Sequence, residues 1–317
     1  MSSEVLVEAR GLSKTYPARN GTPPFHAVQG IDFEFGRGEA FGFLGPNGAG
    51  KSSTMRMLAA ISPATAGTLR VLGMDPVNQG PAIRARIGVV PQDDCLDREL
   101  TVRENIFVYG RYFGLSKSVI GERIDGLLAF AQLEDKADAQ VEMLSGGMRR
   151  RLTIARSLIN EPEILLLDEP TTGLDPQARH VLWDRLYRLK ADGVTLIITT
   201  HYMDEAEQLC DRLAVMDGGQ IVAEGSPREL IEAHVTREVL ELRFATGTQA
   251  DVAERLRAVG LGERIEVLPD RLIVYAYDGE EALAKVHALT LEPITALVRR
   301  ATLEDVFLKL TGRSLVD

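Results

Sequence analysis

The chain has 317 residues, 45% hydrophobic and 26% charged, ordinary proportions for a globular protein that buries one large core or two smaller ones. A net charge of −10 and a pI near 5.2 argue against a general nucleic-acid binder, which carries a basic footprint. Cys95 and Cys210 lie far apart with no CxxC spacing, which excludes a disulfide framework and fits a reducing compartment.

No apolar run approaches the roughly 20 residues that a membrane-spanning helix needs, and the opening MSSEVLVEAR lacks the layout of a signal peptide. A soluble, cytoplasmic chain is therefore expected, and any membrane role must come through a partner.

In chain order, residues 4–9 alternate and predict a strand, and the turn-rich PARNGTPPF at 17–25 predicts a loop. AFGFL at 40–44 is an apolar run that opens directly into GPNGAGKSS at 45–53, after which 51–60 predicts a helix. This segment fits G-x-x-x-x-G-K-[ST] in the setting that pattern requires, a strand before it and a helix after it. Gly45, Gly48 and Gly50 let the backbone of Pro46, Asn47, Ala49 and Ser53 curl so that N–H groups converge on phosphate oxygens. The helix start adds a positive dipole end. Lys51 is expected to neutralise the β- and γ-phosphates, and the Ser52 hydroxyl to ligate Mg²⁺. A plain Gly-rich turn is the alternative, and the context favours nucleotide binding.

IGVV at 87–90 ends at Pro91 and Gln92; 101–160 is mostly helical; ILLL at 164–167 ends at Asp168 and Glu169. A helix at 177–191 precedes VTLIIT, which ends at His201. Buried strands alternating with helices predict an α/β domain with a mainly parallel sheet. In such a sheet ligands bind at the carboxyl ends of the strands, where four runs deliver groups suited to phosphoryl transfer to water. Asp168 suits the Mg²⁺ shell. Glu169 suits a general base that orients and deprotonates water. Gln92 offers an oxygen to Mg²⁺ or water, and His201 can donate to the γ-phosphate. The bland alternatives are a helix cap for Asp168, solvated surface residues for Glu169 and Gln92, and a core histidine for His201.

LSGGMRRRLTIARSLI begins a second helix N-terminus, with Ser145 as N-cap and Gly146 and Gly147 leaving bare N–H groups. The chain has one nucleotide fingerprint, so this site either receives a phosphate held by another copy in a symmetric pair or is an ordinary capped helix. Arg149–Arg151 fit a solvated helix face. Beyond residue 235 the pattern becomes β-α-β-β-α-β (238–244, 248–259, 265–268, 272–277, 280–289, 294–299), the order of a ferredoxin-like unit, followed by an amphipathic helix in ATLEDVFLKLTG.

With these motifs in view, residues 4–230 resemble the ATP-binding subunits of ABC transporters. GPNGAGKSS is similar to Walker A, Gln92 to the Q-loop, LSGGM to the signature, ILLLDEP to Walker B, Asp175 to the D-loop and His201 to the switch histidine. Tyr16 lies where the family stacks an aromatic ring on adenine. Ser53 stands in place of the usual threonine, and Met148 in place of the signature glutamine. LSGGMRRRL, VRENIFVYGRYFG, DEPTTGLDPQARH and the C-terminal extension are similar to a bacterial exporter branch that includes drug-resistance and nodulation-type lipo-oligosaccharide exporters.

The resemblance implies an ABC ATPase domain over 1–234, with a helical subdomain at about 93–160, and an accessory α+β domain over 235–317. It also implies ATP and Mg²⁺, catalysis by Lys51, Glu169 and His201, and a trans nucleotide contact through Ser145, Gly146 and Gly147. The partners implied are a second copy and a membrane-spanning permease, reached at the cytoplasmic face of the membrane, with no nucleic acid. Residues 93–115 are the implied permease contact, with Phe107, Tyr109, Tyr112 and Phe113 either contacts or helix core. A transport ATPase is the leading reading. An ABC-type ATPase acting on ribosomes or DNA is the runner-up, disfavoured by the single phosphate loop, the lack of a coiled coil or Cys cluster, and the acidic pI. A small-molecule kinase is the third, and LSGGM and His201 speak against it.

Overall fold

A computed structural model describes residues 4–18, 23–245 and 247–312, and the chain divides into two compact units at Glu224/Gly225. In the first unit, β1 (Val5–Tyr16) pairs antiparallel with β2 (Phe25–Gly36). The short, wholly buried β3 (Ala40–Leu44) feeds the phosphate-loop sequence and then α1 (Lys51–Leu58). β4 (Ala66–Val71) adds to the other side of β1, making a three-stranded sheet ordered β2-β1-β4. There follow α2 (Gly80–Arg86), β5 (Ile87–Val90), and the helices α3 (Val102–Tyr112), α4 (Lys117–Ala131) and α5 (Gly146–Ser157). The remainder is β6 (Ile164–Asp168), α6 (Pro176–Ala191), β7 (Thr195–Thr200), α7 (Met203–Leu209), β8 (Arg212–Asp217) and β9 (Gln220–Gly225).

The main sheet is ordered β5-β6-β7-β3-β8-β9, and the pairs β5–β6, β6–β7, β7–β3 and β3–β8 are parallel. β3 and β7 are buried along their whole length, which is why they read as continuous apolar runs and not as alternating ones. Because β5, β6, β7 and β3 are parallel neighbours, their carboxyl ends share one edge of the sheet. Behind that edge, Phe33, Phe35, Phe41 and Phe43 pack together, with Phe35–Phe41 centroids 5.1 Å apart and Phe33–Phe43 edge-to-face at 5.2 Å.

The helices α3, α4 and α5 close over a cluster of their own that includes Ile106, Ile120, Leu128, Leu152 and Ile159. Thr101, Ser116 and Ser145 cap the three N-termini through their side-chain oxygens. Phe107, Tyr109 and Phe113 pack against that cluster, whereas Tyr112 is 79% exposed.

β1 runs well past the expected 4–9, and β2, β4, β8 and β9 lie where no strand was expected. Register shifts break the two-residue period of β1 around Gly11, which sits at φ +58°. Gly30, at φ +69°, does the same within β2.

The second unit contains α8 (Pro227–His234), β10 (Glu238–Arg243), α9 (Gln249–Ala258), β11 (Arg264–Val267), β12 (Leu272–Ala276), α10 (Gly279–Ala288), β13 (Thr295–Arg300) and α11 (Leu303–Thr311). Its antiparallel sheet is ordered β11-β12-β10-β13, as a ferredoxin-like unit requires. Leu240, Leu242, Leu272, Val274 and Ala276 face α9 and α10, while Val239, Ile273 and Tyr275 share the opposite face with Ile231 and Leu308. The period of two thus sorts one strand set onto two apolar layers.

Candidate active site

The turn after β3 places Lys51 at the start of α1, 4% exposed, with Nζ donating to the carbonyls of Gly45 (2.6 Å) and Pro46 (3.0 Å). Burial pulls the Lys51 ammonium below its ordinary value, and Glu169 and Asp168 partly offset this. The loop needs its glycines. A Cβ on Gly45 would lie 2.2 Å from the Met216 carbonyl oxygen, and Gly50 combines φ +104° with a carbonyl 2.4 Å from where its Cβ would be.

Ser52 Oγ donates to Asp168 Oδ1 at 3.2 Å, and Thr199 Oγ1 donates to the same oxygen. This hydroxyl–carboxylate pair beside the phosphate loop is an all-oxygen donor set, which fits Mg²⁺ completed by phosphate and water. Glu169 is 7% exposed and takes the left-handed conformation at φ +46°. Its carboxylate accepts from Gln92 Nε2 (3.2 Å) and Thr172 Oγ1 (3.1 Å). Lys51 Nζ is 4.0 Å away and His201 Nδ1 3.3 Å. Gln92 donates through its nitrogen, so its amide oxygen is the atom left to ligate a metal or water.

A cavity here is lined by Asn47–Ser53, Gln92 and Glu169, with Phe25 and Ala27 at its edge. Tyr16 reaches it indirectly: its hydroxyl lies 3.3 Å from Ser53 Oγ and its ring is opposite Phe25 in the β1–β2 register. Lys51, Ser52, Gln92, Asp168, Glu169 and His201 are thereby gathered at one place. Ser145, Gly146 and Gly147 are not among them. They line a separate cavity with Met148, Gly173 and Asp175, and share no lining residue with the first. Ser145 Oγ accepts from Met148 N at 3.3 Å, and Gly146 faces open space.

A family model described as "ABC transporter" matches residues 28–172, and one described as the C-terminal domain of the nodulation factor export protein NodI matches 250–312. A "Nod factor export ATP-binding protein I" of Ralstonia nicotianae is 47% identical over 100% of this chain and 97% of its own length. One from a Rhizobium species is 47% identical over 99% of each. The chain belongs to the ATP-binding subunits of ABC transporters. Among solved structures, this ABC ATPase resembles the dimeric post-hydrolysis state of the cassette MJ0796 bound to ADP and Pi, with a TM-score of 0.64 and 27% identity over 69% of this chain and 98% of that one. It also resembles cbiO1 from Clostridium perfringens, with a TM-score of 0.66 and 29% identity over 81% of this chain and 98% of that one.

One expectation needs correction. Arg149–Arg151 do not form a uniformly solvated face, because Arg150 of this ABC ATPase is only 6% exposed. Its position on α5 groups it with Thr153, Ile154 and Ser157, all buried; spacings of three, four and seven were the signal available in the sequence. Burial lowers its pKa to about 10, leaving it a cation at neutral pH. Sequence reasoning also passed over Thr172 and Thr199, which hold Glu169 and Asp168, and Phe25 at the cavity edge.

Proposed function

We propose that this ATPase, as a pair of copies held at the cytoplasmic face of a membrane, powers export through a separate membrane-spanning subunit. The relatives named for Nod factor export support the direction. Among the described residues no helix is long and apolar enough to cross a membrane, so the translocation path is assigned to the partner. The acidic charge argues against a nucleic-acid partner.

Within each copy, the loop N–H groups and Lys51 bind the phosphate chain, and the Phe25 side of the first cavity, with Tyr16 paired to Phe25, takes the adenine. Ser52, Asp168 and Gln92 would hold Mg²⁺, which when bound offsets charge on the phosphate oxygens. Glu169 takes the proton of the attacking water, and His201, 3.3 Å from it, donates toward the γ-phosphate. Ser145, Gly146 and Gly147 receive the phosphate held by the other copy, and MJ0796 is dimeric in its solved form.

The observation that carries this reading is the Glu169 carboxylate, buried, turned by a left-handed backbone and touched by Gln92, Thr172, Lys51 and His201. Glu169→Gln keeps the shape and loses the base. Phosphate release should fall by a factor of about 10²–10⁴, with an ATP-bound dimer accumulating on size exclusion. The same tagged variant, purified with ATP from detergent-solubilised membranes of its host, should bring a multi-spanning protein in near-equal amount. Hydrolysis at the normal rate removes Glu169 as the base. A trapped dimer that co-purifies with no membrane protein removes the export assignment.

A further inference from the structure

The Arg150 guanidinium spends all five of its N–H groups on backbone carbonyls of the nucleotide site. Nε donates to Pro170 O (2.8 Å), and Nη2 to Asp168 O (2.9 Å) and Glu169 O (3.1 Å). Nη1 donates to Gln92 O (3.2 Å) and to Pro91 O. These carbonyls belong to two separate segments, the end of β6 with the turn after it that carries Glu169, and the segment after β5 that carries Gln92. Two further side chains of α5, one and two turns on, hold the same Gln92 segment. Thr153 Oγ1 donates to Asp94 O (3.2 Å), and Arg156 donates to Cys95 O (2.8 Å) and Asp94 O (3.2 Å).

α5 is also the helix that starts at Gly146, directly after Ser145. Arg150 lies about 7 Å along its axis from Ser145, a distance over which a helix moves as one body. From α5 two routes reach the same carboxylate. One is direct, through the carbonyls on either side of the Glu169 Cα, which Arg150 clamps in a left-handed conformation that a non-glycine residue adopts at a cost. The other runs through Gln92, whose Nε2 donates to Glu169 Oε2. A guanidinium suits this task because its planar fork fixes several acceptors relative to one another, which a lysine ammonium does not.

We infer that Arg150 is a positioning residue that couples a nucleotide docked at Ser145–Gly147 to the placement of Glu169 and Gln92 in the same copy. Seating of the other copy's γ-phosphate on the N-terminus of α5 thereby sets the base in this copy's own site, and the two sites communicate through one buried side chain. The inference rests on Glu169 being the base and on the trans contact proposed above.

The test compares Arg150→Lys with Arg150→Gln, each alone and combined with Ser145→Ala. Arg150→Lys keeps the charge, has three donors for five carbonyls and loses the fork. In purified protein, Arg150→Lys should lower kcat tenfold or more and leave KM for ATP and ADP binding by the monomer within twofold. The Glu169→Gln/Arg150→Lys chain should still form an ATP-bound dimer. In combination with Ser145→Ala, kcat should be no lower than in the worse single variant, because both changes break one relay. Multiplying losses, a parallel loss of nucleotide affinity, or wild-type kcat in Arg150→Lys would each overturn the relay. So would failure of both Arg150 variants to fold by thermal melting, which would make the guanidinium a core crosslink. Glu169→Gln, measured first, separates the two claims: if it hydrolyses normally the base assignment has failed, and if it does not, wild-type kcat in Arg150→Lys counts against the relay alone.

Discussion

Lys51 and Glu169 meet at 4.0 Å, both almost wholly buried. Neither is an ordinary ion pair. Lys51 is anchored by two loop carbonyls and Glu169 by an amide and a hydroxyl, so each is oriented by neutral groups. A buried cation without anchors would lose more to desolvation than it gains. Lys51→Ala removes charge-assisted bonds to phosphate worth about 1.5–3 kcal/mol in total. Affinity for ATP should therefore fall about 10- to 150-fold, measured by titration calorimetry. Wild-type affinity would remove Lys51 from the phosphate site.

At the scale of the element, what precedes and follows a strand or helix decides whether it delivers a group to the right place. β6 and β7 are held by the same parallel register, Asp168 opposite Thr199, so the threonine at the end of one strand bonds the aspartate at the end of the other. In the second unit, Asp305 closes the capping box of α11 with Thr302 and accepts from both Nη atoms of Arg299 (2.6 and 2.8 Å), the end of β13. Arg299 also donates to Glu241 of β10 at 2.7 Å, so one guanidinium ties two strands to a helix start. Asp305 is 1% exposed, and deleting it leaves a half-buried guanidinium short of its bidentate partner. Asp305→Ala should cost about 3 kcal/mol, seen as roughly 150-fold faster hydrogen exchange at β10 and β13 amides in the full chain. Unchanged protection would show that the pair contributes specificity and not stability.

For the whole molecule, the decisive fact is that the phosphate loop and the signature N-terminus open into different cavities of one unit. Under the proposed trans contact, a single copy holds two half-sites and a symmetric pair makes two whole ones. Ser145→Arg and Lys51→Ala chains, each inactive alone, should regain ATPase activity when mixed, since one composite site of the heterodimer is then intact. Heterodimers proven by two affinity tags, with no activity above the parents, would contradict the shared site.

The sequence alone determined the parts whose chemistry is local. GPNGAGKSS, the Asp168–Glu169 pair, Gln92, His201 and the LSGG helix start were each legible because a tight phosphate turn, a buried strand ending in carboxylates and a capped helix impose their own residue order. The β-α-β-β-α-β unit was legible because its alternation is unbroken. β1 beyond residue 9, and β2, were not, because bulges interrupt the two-residue period. Arg150, Thr172 and Thr199 were hidden for a different reason: an arginine among three, or a threonine near a strand end, has no local signature of its partners. Only the tertiary structure decided which groups Arg150 binds. The carbonyls it satisfies come from segments 58–59 and 18–20 residues away, and only packing brings those acceptors to one point.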